Sequence, residues 1–311
     1  MSNKRSREMI LVAAVITTAC LMSPPARGQS PGGAHLGDID VPAIKVVEFE
    51  VALSDAAWAD ASGQPIPRGY LRWAQYVRSQ SGHQEPPISS PPRDGQLTEN
   101  PKVATVKVAL AGPERFDPNK SWPLLVVNAT MNASNIGGLG AYYEAATAGG
   151  WVVLAVDGSV PPRDDSNAWR WALLASALDH LHAHWPSSKK WPVACAGFSG
   201  GAKRSGYLAA ILAKADYRVV GMWMGGCNED MATEGLAVYQ PDRNRFLEVP
   251  IFLSSGTSDT VATPQHHQHV MESMQKTGFK KIRLRSYEGG HGIFSDHIKE
   301  ALAWFVEQTS Q

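Results

Sequence analysis

Gly197-Phe198-Ser199-Gly200-Gly201 follows the apolar run Trp191-Pro192-Val193-Ala194-Cys195-Ala196 and leads straight into residues 202–212, where apolar side chains recur at helical spacing. The pattern predicts a buried strand, a sharp turn and a helix, with a serine at the apex. So abrupt a reversal strains the backbone of the apical residue and leaves space for only small residues two positions to either side, which accounts for glycine at 197 and 201. On its own, G-x-S-x-G also describes an ordinary tight turn, so its meaning depends on what the rest of the chain brings near it.

Two later segments supply that context. Asp259 closes Ser254-Ser255-Gly256-Thr257-Ser258-Asp259, just past the apolar run Val249-Pro250-Ile251-Phe252-Leu253. His291 lies in Glu288-Gly289-Gly290-His291-Gly292, just past the alternating run 281–287. Each is predicted on a loop beyond a strand's carboxyl end, and serine, then aspartate, then histidine, each after its own strand, is the order of the α/β-hydrolase fold. A serine hydroxyl is a poor nucleophile near neutral pH and needs a base. His291 can take its proton and return it to a leaving group, while Asp259 accepts from the other ring nitrogen. Glu229 and Asp230, past the run 219–224, compete with Asp259 for the acid's place.

Outward from these loops the alternation continues. Residues 123–127 and 151–156 are continuous apolar runs of the sort buried in a parallel sheet, and 219–224 is another. Residues 141–148, 167–184, 264–277 and 295–307 read as helices, 46–53 as an edge strand and 102–110 as a half-buried strand. Right-handed crossovers then give an α/β architecture, a doubly wound, mostly parallel sheet with Ser199, Asp259 and His291 at its carboxyl edge. Residues 225–248 are too few for a large lid domain. We divide the chain into 1–28, 29–100 and a catalytic domain at 101–311.

Residues 1–28 read as a secretory signal: Lys4, Arg5 and Arg7 precede an apolar stretch at 9–22, and Ala26-Arg27-Gly28 offers small residues for cleavage. The stretch is short for a membrane span, so the expected location is secreted or periplasmic, with no integral membrane span. A lipid-attachment reading of Thr17-Thr18-Ala19-Cys20 is the alternative, disfavoured by threonine where a large aliphatic residue is expected. Residues 29–44 form a flexible lead-in and 54–100 a proline-rich surface extension, helix-like only at 70–79. The whole chain balances 29 basic against 29 acidic residues; without 1–28, which carry Lys4, Arg5, Arg7 and Arg27 against Glu8, 25 basic and 28 acidic remain, a net charge of −3. No nucleic-acid partner is implied. Cys195 and Cys227 are expected as buried free thiols, since one lies within a strand and the other beyond the end of the next.

A tetrahedral intermediate on Ser199 would need amide donors for its oxyanion: Gly200, directly after the serine, supplies one, and the loop 128–135 after the strand 123–127 the other. From about Lys102 to the C-terminus the chain resembles the α/β-hydrolase superfamily, above all secreted serine esterases of the feruloyl esterase and polyhydroxyalkanoate depolymerase type. In those proteins the corresponding strand ends in His-Gly before the second donor. Here Asn128-Ala129 stands in that place, so the resemblance maps the donor onto Thr130, with Met131 as its rival. It implies hydrolysis of small or polymeric carboxylic esters without a cofactor. Peptidase, acyltransferase and non-catalytic binding remain open on the same fold.

Other clusters carry weaker signals. Trp169, Trp171 and Trp223 suit either a substrate wall or the core, and core is the commoner use. His180 with His184, and His266 with His269, have helical spacing for a shared metal but no zincin-like glutamate, so no metal site is assigned. Gly137-Gly138-Leu139-Gly140 lacks the lysine and hydroxyl of a phosphate loop.

Overall fold

The computed structural model describes residues 46–65, 105–159 and 165–309. The signal, the lead-in and the helix expected at 70–79 lie outside them.

Eight strands form one sheet: β1 (Val47–Ala52), β2 (Thr105–Ala111), β3 (Leu124–Asn128), β4 (Val152–Gly158), β5 (Val193–Phe198), β6 (Val219–Gly225), β7 (Ile251–Gly256) and β8 (Ile282–Tyr287). Their order is β1-β2-β4-β3-β5-β6-β7-β8. β1 and β2 pair antiparallel and β2 joins β4 antiparallel, whereas every pair from β4 through β8 is parallel. β2 departs from the half-buried expectation: Val106 and every residue from Val108 to Ala111 are buried, because β2 lies second in the sheet and β1 takes the edge.

The continuous apolar runs divide by alternation between two faces. Leu124, Val126, Val152, Leu154, Cys195, Met222, Met224, Ile251 and Leu253 face one core. Leu125, Val127, Val153, Ala155, Ala194, Ala196, Trp223 and Phe252 face the other. Each fully buried large apolar side chain contributes roughly 1.5–3 kcal/mol, so both coverings are needed.

The helices are α1 (Asp55–Ser62), α2 (Asn135–Gly138), α3 (Tyr143–Ala148), α4 (Asn167–His184), α5 (Gly200–Lys214), α6 (Met231–Tyr239), α7 (Arg243–Leu247), α8 (Pro264–Thr277) and α9 (Ser295–Thr309). The first core packs under α4, α5 and α6, and the second under α3 and α9. Part of the stretch read as surface extension is instead helix α1. Ser54 caps it by accepting from the Ala57 amide, Ala57 and Ala61 are buried, and Trp58 meets Trp169 of α4 edge-on at 5.7 Å. Between β6 and β7 only the short α6 and α7 are inserted, so no large lid domain is present among the described residues.

Buried histidines set a pH limit on this packing. His267 and His297 are buried and His182 is half-buried; burial lowers the pKa of all three below the usual imidazole value. Their folded pKa lies below the unfolded one, so stability is complete above the unfolded value of about 6.5 and falls as pH drops through it, because the unfolded chain then takes up protons that the fold resists. The urea midpoint is expected to be flat from pH 8 to 7 and to decline between pH 6.5 and 5. A flat profile down to pH 5 would contradict this.

Candidate active site

The segment joining β5 to α5 has a single backbone outlier at its apex. Ser199 has φ 55° and ψ −119°, a region that side chains other than glycine rarely occupy. Its amide donates to the Gly225 carbonyl at the end of β6 (2.7 Å), and its own carbonyl accepts from Ala202, the first turn of α5. The flanking glycines are fixed by space. A Cβ on Gly197 would lie 2.2 Å from the carbonyl group of Gly201, and one on Gly201 would lie 2.2 Å from the Asn128 oxygen. Strand, strained apex and helix thus interlock at the sheet's carboxyl edge.

Register brings the other two loops to the same edge. Phe198 lies level with Gly225, Gly225 with Ser254, and Gly256 with Tyr287, so the loops after β5, β6, β7 and β8 lie side by side. His291 Nδ1 and Asp259 Oδ2 are 2.7 Å apart. Asp259 is buried, and its Oδ1 accepts from the Val261 and Ala262 amides, both at 2.8 Å. One carboxylate oxygen is therefore held by backbone donors and the other is reserved for the imidazole, whose Nδ1 carries the proton in this arrangement. The ring packs on Phe198, the residue before Ser199, with centroids 4.6 Å apart. Gly226 lies against both rings: a Cβ there would come 2.7 Å from Phe198 and 2.9 Å from His291.

The rival acids are engaged elsewhere. Glu229 pairs with Lys203 Nζ at 2.6 Å. Asp230 caps α6 through the Thr233 amide and accepts from Ser273 Oγ at 2.7 Å. Phe198 and Gly226 were not singled out by sequence, since nothing in their neighbourhood shows that they would contact the histidine.

The loop after β3 crosses the start of α5. Asn128 pairs level with Gly197, and a Cβ on Gly201 would lie 3.2 Å from the Ala129 carbonyl carbon, the atom bonded to the Thr130 nitrogen. The Ala129–Thr130 peptide therefore lies close to Gly201, in the first turn of α5. The Ala129 amide is taken by Asn135 Oδ1 at 2.6 Å. Thr130 is exposed, while the Met131 side chain is buried in the core. Asp165 is held ionised beneath the loop: burial alone would raise its pKa, but the Arg204 and Arg170 guanidiniums and the Asn132 amide outweigh that and lower it.

The remaining clusters fall outside the site. Trp169, Trp171 and Trp223 are core residues, with Trp171 Nε1 donating to Asp60 Oδ2 at 2.5 Å. His184 Nδ1 lies 2.9 Å from the His180 carbonyl, and His266 Nδ1 accepts from the Thr263 amide in the α8 capping box. Cys195 and Cys227 are free buried thiols; burial raises them to about 12 and about 11, so neither is a thiolate near neutral pH.

An eight-stranded sheet in this order, with a strained serine turn after the fifth strand and aspartate and histidine loops after the seventh and eighth, is the α/β-hydrolase fold. No protein-family profile and no curated protein matches the chain. Among solved structures it is similar to Thermogutta terrifontis esterase 2 phosphonylated by sarin, at 14% identity over 65% of this chain and 90% of that one, with a TM-score of 0.48. It is also similar to Zea mays acyl-protein thioesterase 2, at 14% identity over 65% of this chain and 98% of that one (TM-score 0.45), and to Bacillus cereus carboxylesterase, at 13% over 65% and 94% (TM-score 0.44).

Proposed function

We propose that the protein is an exported serine esterase of the feruloyl esterase and polyhydroxyalkanoate depolymerase type. It hydrolyses carboxylic esters through an acyl-enzyme on Ser199. The observation that carries this reading is the strained Ser199 apex, whose chain neighbour Phe198 packs on a histidine whose Nδ1 is held by a buried aspartate. His291 Nε2 takes the Ser199 proton as Oγ bonds to the ester carbonyl carbon, giving a tetrahedral intermediate and an imidazolium stabilised by Asp259. The carbonyl π pair moves onto oxygen, and the Gly200 and Thr130 amides receive that charge. Collapse breaks the bond to the alcohol oxygen, which leaves with the proton from Nε2. Water repeats the sequence, releasing the acid and restoring the serine.

Val261, Ile293 and Phe294 are among the most exposed large hydrophobic side chains of the described residues; Val261 comes two residues after Asp259, and Ile293 and Phe294 come two and three residues after His291. With no large lid among the described residues, this rim suits an ester with an apolar flank. Export is proposed from residues 1–28 alone. To test the reaction class, p-nitrophenyl butyrate and its matched p-nitroanilide should be compared: ester turnover is expected to exceed anilide turnover by more than about 10³-fold, reflecting the poorer amide leaving group. An anilide rate above the ester rate would make the protein a peptidase.

A further inference from the structure

Residues 132–136, the second half of the loop over Ser199, are tied down by three charged side chains. Asp165 Oδ2 accepts the Asn132 amide at 2.6 Å. An Arg170 NH2 group donates to the Ala133 carbonyl at 2.8 Å. Asp157, at the end of β4, accepts from Ser134 Oγ at 2.6 Å, the Asn135 amide at 3.0 Å and the Ile136 amide at 3.1 Å. Arg170 also bridges the two carboxylates. Arg170 Nε meets Asp165 Oδ1 at 2.6 Å, its NH2 group meets Oδ2 at 3.0 Å, and its NH1 group meets Asp157 Oδ1 at 2.8 Å. Fully buried Arg204, on the helix that begins at Gly200, donates to the Asp165 and Ser166 carbonyls at 3.3 and 3.4 Å.

Asp165 is 2% exposed and Arg170 5%, so this charge has been withdrawn from water. An apolar cluster of the same volume would hold a loop at least as firmly. Charges add direction: each charge-assisted hydrogen bond to the loop fixes a backbone group in place, which an apolar contact does not. The backbone so fixed leads, through Asn135 Oδ1 and the Ala129 amide, to the Ala129–Thr130 peptide over Gly201.

We propose that Arg170 and Asp165, together with Asp157, are positioning residues that hold the Thr130 amide against the oxyanion site. The inference rests on the serine-esterase reading above. Removing the guanidinium leaves Thr130 in place chemically but lets its loop shift, and a displacement of about 1 Å at such a donor lowers turnover about 10²-fold.

The test compares the wild type, Ser199→Ala, Arg170→Gln, Arg170→Lys and Asp157→Asn. It measures kcat and KM for p-nitrophenyl butyrate per active site titrated, and affinity for a trifluoromethyl ketone, which forms a tetrahedral oxyanion adduct. Arg170→Gln is expected to lower kcat about 10- to 100-fold with KM within about 2-fold, and to weaken ketone binding by a similar factor. Arg170→Lys should recover part of the loss, and Asp157→Asn should lower kcat at least about 5-fold. Folded Arg170→Gln or Asp157→Asn with wild-type kcat and ketone affinity would overturn the proposal; where Arg170→Gln does not fold, Asp157→Asn decides it. A wild type that does not hydrolyse the ester, or a Ser199→Ala variant that still does, contradicts the esterase reading instead.

Discussion

Replacing Ser199 by alanine is expected to reduce kcat for ester hydrolysis by about 10⁵- to 10⁶-fold while leaving the protein folded. The loss is so large because the covalent route disappears as a whole: His291 and Asp259 have no hydroxyl to activate, and only the oxyanion donors still favour attack by water. Stability should hardly change. Alanine keeps the Cβ that strains the backbone at φ 55°, so it neither releases the strain nor adds to it, and the side chain removed is one that caps nothing in α5. Unfolding midpoints of the wild type and Ser199→Ala, measured beside kcat, check both halves. A variant that keeps more than a hundredth of the activity would place the chemistry elsewhere.

Asp259→Asn is the second large effect, about 10⁴-fold in kcat. The hydrogen bonds around Asp259 say why a change of one atom matters. Oδ1 accepts from two backbone amides, Val261 and Ala262, which hold an oxygen at that position. In asparagine the oxygen stays there, so the NH₂ group must face His291 Nδ1. The imidazole then presents a bare Nδ1 to the amide and carries its proton on Nε2, the nitrogen that should receive the serine proton. The base is in place with the wrong tautomer. Kinetics across pH 6 to 9.5 should show a low rate whose partial recovery at high pH reports hydroxide acting in place of the histidine. Wild-type kcat in a folded Asp259→Asn protein would show that the carboxylate is not the orienting acid.

Much of this arrangement is legible along the chain, since its signals are local. The elbow announces itself through glycines spaced around a serine between an apolar run and a helix, and the Asp259 and His291 loops follow apolar runs of their own. The choice among acids is not legible. Asp230 and Asp259 both follow strands, and only the folded chain shows Asp230 capping α6 and Glu229 paired with Lys203. Helix α1 has a signal, Ser54 ahead of a run rich in alanine, but the prolines that follow it draw the whole stretch toward a loop reading. The Asp157–Asp165–Arg170 cluster has none: it joins the end of one strand, the approach to a helix and a loop 21 to 37 positions upstream, a meeting that no local pattern encodes. Thr130 belongs with it, since the approach of Asn128 and Ala129 to Gly201 depends on how the loop after β3 folds back.

The central claim is that Ser199 is a nucleophile activated by His291. Incubating the folded protein with a fluorophosphonate probe and mapping the adduct by peptide mass spectrometry tests it most directly, because phosphonylation requires an activated hydroxyl and leaves a covalent mark on the residue that attacked. The account predicts one stoichiometric adduct on the peptide containing Ser199, lost in Ser199→Ala and formed much more slowly in Asp259→Asn. Folded wild-type protein that takes up no label, or takes it up at another residue, would contradict it.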